Sequence, residues 1–121
     1  MAGIEVKGFA SPEDKRPFVD HGEALVVTLG EGTVMKATFE PGWHWKEHLG
    51  PIAGTETCQS PHLIYVLSGR MAVRMDDGTE GECGPDDTVR IEPGHDAWVL
   101  GDEPCVLVDF GIASTYAQRK S

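Results

Sequence analysis

From Glu23 onward the chain is cut into short β-like runs by turn signals, a punctuation that favours an all-β fold over any other class. The runs are Ala24 to Leu29, Val34 to Phe39, Leu63 to Leu67, Met71 to Met75, Thr88 to Ile91, Ala97 to Leu100 and Cys105 to Phe110. Between them stand Gly30-Glu31-Gly32, Pro41-Gly42, Ser68-Gly69, Asp76-Asp77-Gly78, Gly84-Pro85-Asp86-Asp87, Pro93-Gly94 and Gly101-Asp102-Glu103-Pro104. Glycine supplies positive φ in such turns, proline a preset φ, and aspartate a side-chain acceptor. No helical period of comparable length competes. Strands so closely spaced predict a sandwich or barrel.

A length of 121 residues predicts one domain around one core. Residues 1–22 mix charge with proline and show no sustained period, which predicts a lead-in segment packing on the barrel edge, with at most one short turn of helix. Residues 23–110 form the predicted barrel. Residues 111–121 are polar, end in Arg119-Lys120-Ser121, and read as a C-terminal surface tail.

The formal net charge is -10, which repels nucleic-acid phosphates and anionic lipid surfaces and argues against either as a partner. No apolar run is long enough to span a bilayer. Met1 to Ala10 lacks a basic start and a continuous apolar stretch, so a cytoplasmic location is expected. Cys58, Cys83 and Cys105 form no CxxC pair, and an odd number of thiols does not suggest a disulfide framework.

Four of the five histidines, His44, His48, His62 and His95, fall between Trp43 and His95. Neutral imidazole is the commonest protein ligand for transition metals, so the clustering points to a metal. If residues 43–48 are extended, His44, Lys46 and His48 share one face, opposite Trp43, Trp45 and Glu47. The same alternation puts His62 with Ile64 and Val66, opposite Leu63 and Tyr65, at the mouth of a strand.

Two segments carry a family resemblance. Pro41-Gly42 and Tyr65-Val66-Leu67-Ser68-Gly69 are similar to the first motif of the cupin superfamily. Gly84-Pro85-Asp86-Asp87-Thr88-Val89-Arg90-Ile91-Glu92-Pro93-Gly94-His95 resembles the second. The resemblance covers roughly residues 23–110, and implies a single-domain cupin barrel, the double-stranded β-helix or jelly roll. The set also resembles small stand-alone cupins that share the Gly94-His95-Asp96-Ala97-Trp98 and Gly101-Asp102-Glu103-Pro104 signatures.

Carried over residue by residue, the resemblance implies a divergent metal motif. His48 stands where the first motif histidine belongs, and Gly50 replaces the second. His62 stands where the family has a glutamate. His95 follows Pro93-Gly94 directly, while the usual histidine position holds Ala97. A long segment, Gly50 to Pro61, brings Cys58 near His62, where its thiolate can take the place of the missing ligand. The implied set is His48, Cys58, His62 and His95, a donor mixture that suits a divalent transition metal such as zinc or iron. His44 is a reserve ligand in place of Cys58 or His95.

Cys83 and Cys105 are assigned to packing, and His21 to the surface. Trp43, Trp45 and Trp98 are read as core in preference to a pocket lining. Asp76-Asp77-Gly78 is a hairpin turn, since the EF-hand spacing is absent. Glu47, Tyr65 and Asp96 are conceivable proton carriers, but nothing in the spacing singles one out. Three functions stay open: a metal-dependent oxygenase, isomerase or lyase on a small molecule, a metal- or metabolite-sensing module, and a metal-free isomerase or carrier. An exposed edge strand in a small β-domain is commonly covered by a symmetric partner, so a homodimer is expected.

Overall fold

The structure, a computed structural model, describes residues 3–10, 14–30 and 32–111. Nine strands occur among them: β1 (Asp14–Pro17), β2 (Gly22–Leu29), β3 (Gly32–Phe39), β4 (His62–Ser68), β5 (Arg70–Met75), β6 (Glu80–Cys83), β7 (Thr88–Ile91), β8 (His95–Leu100) and β9 (Cys105–Asp109). Two single-turn helices, α1 (Trp45–His48) and α2 (Gly50–Ala53), interrupt them. A six-stranded sheet runs β1-β2-β3-β9-β4-β7, and a three-stranded sheet runs β6-β5-β8. Every pairing is antiparallel.

The strand periods explain why the sheets close on a common core. In β4, His62, Ile64 and Val66 are buried while Leu63 and Tyr65 are exposed, so one face turns inward as alternation predicts. In β9, Cys105, Leu107 and Asp109 are the buried set. Met35, Phe39, Trp43, Trp45, Met71 and Leu107 join them in one hydrophobic cluster. The turn between β4 and β5 needs its glycine: Gly69 has φ +76, and a Cβ there would collide with the Pro104 carbonyl and with Cys105.

Three local expectations are corrected. Residues 14–17 form β1 rather than a turn of helix, paired with β2 from Asp14↔Val26 to Pro17↔Glu23. Phe18 then stacks on Phe39 with ring centroids 5.3 Å apart, anchoring the lead-in to the core. Residues 43–48 are not one extended run, because Trp45, His48 and Leu49 are all buried, the i, i+3, i+4 spacing of a helix face. Strand β6 was not expected at all: three of its four residues are exposed and it lacks apolar alternation. The expected C-terminal tail, beyond Gly111, lies outside the described residues.

Candidate metal centre

His62 opens β4 and His95 opens β8, and both side chains face the interior. Cys58 belongs to no strand, yet it is locked to His95 by an isolated antiparallel bridge. The Cys58 N–H donates to the His95 carbonyl at 2.7 Å, and the Gly94 N–H donates to the Cys58 carbonyl at 2.7 Å. These bonds fix the loop so that its thiol meets the two imidazoles. One ligand atom from each of Cys58, His62 and His95 lies within 4.8 Å of the others, and all three residues are buried.

The imidazoles are oriented from behind. His62 Nδ1 donates to Asp109 Oδ2 at 2.5 Å, and His95 Nδ1 donates to the Glu92 carbonyl at 2.7 Å. Each bond engages Nδ1, the contact to a carboxylate or backbone carbonyl that metal-ligating histidines make with their other ring nitrogen. Asp109 is itself fixed, since its Oδ1 accepts from the Leu63 N–H at 3.1 Å and the Gly111 N–H at 2.9 Å.

The electrostatics suit a cation. Burial, the largest influence on Cys58, raises its pKa, but hydrogen bonds and charge from His62 and His95 outweigh it and bring the thiol down to about 6. Burial likewise opposes a charged His62 ring, and hydrogen bonds to Asp109 and Cys58, with their charges, override it and raise the pKa to about 9. The thiol is thus drawn toward the thiolate form in which Cys58 would hold a metal ion, with His62 and His95 as imidazole donors beside it. Cys58 Sγ lies 3.5 Å from His62 Nε2. That separation matches the roughly 3.6 Å edge expected between sulfur and nitrogen on a tetrahedral zinc ion. The donors present fit a metal.

Beside the histidines is an internal cavity of about 30 Å³, walled by Trp43, Trp45, Ile64 and Leu107 among others. That is room for about one or two water molecules. The Nε1 atoms of Trp43 and Trp45 are buried and have no acceptor among the described residues.

Other sequence candidates lie elsewhere. His48 is buried in α1 and does not belong to the Cys58, His62 and His95 group: its Nδ1 accepts the His44 backbone N–H at 3.0 Å and its ring lies 4.5 Å from that of His21. His21 therefore packs rather than facing solvent alone. His44 forms a pair with Asp96 on the outer side of β8, with Nε2 2.5 Å from Oδ2. Trp43 and Trp45 are core, whereas Trp98 is only half-buried and sits beside His44. Glu47 is exposed on α1, and the Tyr65 hydroxyl donates to Asp86 Oδ1 at 2.5 Å, on the outside. Cys83 and Cys105 are buried, and burial raises both thiols, that of Cys105 to about 12. Asp109 escaped the sequence reading, though the alternation Cys105, Leu107, Asp109 places it inward.

Two antiparallel sheets with a histidine-bearing interior define a cupin fold. Solved structures agree. Oxalate decarboxylase from Lactobacillus farciminis, in a formate complex, superposes with a TM-score of 0.64 at 14% identity over 94% of this chain. This chain spans 35% of that enzyme's length. A protein of unknown function from Rhizobium leguminosarum gives 0.62 at 19% identity, covering 93% of this chain and 100% of its own. A cupin-2 domain protein of Rhodospirillum rubrum gives 0.56 at 18% identity, covering 98% and 70%. No family model and no curated protein matches the sequence. Among the described residues no helix is long and apolar enough to cross a membrane.

Proposed function

We propose that this protein is a metal-binding cupin that holds one zinc or iron ion on Cys58, His62 and His95 and offers it to a small ligand inside the barrel. One observation carries the reading: two imidazoles, each tied back through Nδ1, converge on a buried thiol. Such a metal supplies Lewis acidity. Three protein donors, rather than a closed set of four, are the pattern of sites that keep a position for water or substrate. The 30 Å³ cavity and its two unpaired indole N–H groups support a ligand of about one to three heavy atoms. The fold neighbour solved with formate supports the same size class. Free thiols at Cys58, Cys83 and Cys105 support a reducing, cytoplasmic setting.

The direct test is elemental analysis of protein purified without a histidine tag. About one transition-metal ion per chain is expected. Protein that stays metal-free after incubation with zinc and with ferrous iron under reducing conditions would leave the metal-free carrier as the correct reading.

A homodimer is supported by the apolar side chains of Leu63, Tyr65 and Leu67, exposed on the outer face of β4 beside Phe110, whose N–H donates to the Leu63 carbonyl. Light scattering should give twice the chain mass. A mass near 13.1 kDa would refute the dimer.

A further inference from the structure

A second recess lies outside the barrel interior. A cleft of about 730 Å³ lies between α1 and the outer face of β5 and β8, within the usual size of small-molecule sites. Because successive strand residues face opposite sides, His95 points into the barrel while Asp96 points to this cleft.

Asp96 is the unusual residue there. It is only 9% exposed. His44 Nε2 donates to its Oδ2, while Oδ1 is buried and has no hydrogen-bond partner. A carboxylate oxygen removed from water without a donor is costly, so a ligand that brings an N–H is favoured. Arg74 is the direct cross-strand neighbour of Asp96, yet none of the salt bridges among the described residues joins them, because His44 holds the carboxylate. Its exposed guanidinium therefore remains available at the cleft, where it matches a carboxylate in a bidentate fork. Trp98, half-buried beside His44, offers an apolar wall.

We propose that this cleft is a second ligand site, separate from the metal centre, for a small molecule of the α-amino-acid class. The ligand's ammonium pairs with the Asp96 carboxylate and its carboxylate pairs with Arg74, the two oppositely charged side chains that line the cleft. The site stands whether or not the barrel holds a metal.

The test is an NMR titration of the protein with each common α-amino acid in turn, and, for any that binds, with the corresponding carboxylate lacking the amine. At least one amino acid should give saturable shifts at Arg74, Asp96 and Trp98 below about 10 mM. Asp96→Asn should weaken that binding by about tenfold or more, and so should Arg74→Gln, an exposed position where folding is not at stake. Metal content should be unchanged in Arg74→Gln, which separates this site from the centre in the barrel. The proposal is overturned if no amino acid gives saturable shifts, if the amine-free carboxylate binds equally well, or if the Arg74→Gln protein binds like the parent.

Discussion

Cys58→Ala and His62→Ala are each expected to strip the purified protein of its metal, whereas His48→Ala keeps it. The first two substitutions remove donors that meet in one buried cluster. Losing a group that merely orients a ligand costs roughly 10- to 100-fold in metal affinity, so loss of a ligand itself should exceed about 100-fold. His48 has another task. Its Nδ1 holds the N–H of His44, the residue capping α1, and its backbone carbonyl receives the Val19 N–H at 2.8 Å. Alanine there should cost about 1 to 2 kcal/mol through the lost cap acceptor and ring contact, with metal retained. Elemental analysis and chelator competition on the three variants decide the matter. Metal lost from His48→Ala but kept in His62→Ala would sink the proposed ligand set.

Why His48 looked like a ligand, and why the structure sets it apart, shows where sequence patterns carry information. Period-two patterns were readable wherever one strand face is buried: β7 runs over Thr88–Ile91, and the inward set of β4 begins at His62, both as expected. Elements without apolar contrast were not readable. β6 is exposed and acidic, and β1 is a four-residue edge strand holding a lysine, an arginine and a proline. Such edges are specified by the partner they pair with rather than by their own composition. In residues 43–48 the two tryptophans fit a two-residue period, which masks the single helical turn that begins at Trp45. Only the buried Leu49 and His48 decide for the helix, and burial is a tertiary property.

The site was half legible for a related reason. Cys58, His62 and His95 were singled out by donor chemistry, and the fold brings all three together. What bonds them in place is non-local. The Cys58 bridge to His95 spans residues far apart in sequence, and the Glu92 carbonyl behind His95 has no side-chain signature. His44 and Asp96 are likewise 52 positions apart, so neither position suggests the other. Asp109 is the exception, because a carboxylate at an inward position of an apolar strand is a signal that alternation alone reveals.

That carboxylate should carry the second large effect. Asp109 is fully buried and accepts three hydrogen bonds, from His62 Nδ1, the Leu63 N–H and the Gly111 N–H. Asp109→Ala leaves those donors in the core with nothing to receive them and removes the charge opposite His62. Breaking a buried pair in this way costs about 3 to 5 kcal/mol, a large part of the roughly 5 to 15 kcal/mol that holds an ordinary domain together. Urea unfolding should register it as a lower midpoint with an unchanged slope. Asp109→Asn separates the two roles. Its amide oxygen can still take the backbone N–H groups, so stability should fall less. Its amide N–H₂, however, is a donor where His62 Nδ1 needs an acceptor, which drives the ring to the tautomer that carries its proton on Nε2. Metal affinity should then drop by about 10- to 100-fold. If Asp109→Asn binds metal as tightly as the parent, the carboxylate does not set the His62 tautomer, and Asp109 is structural alone.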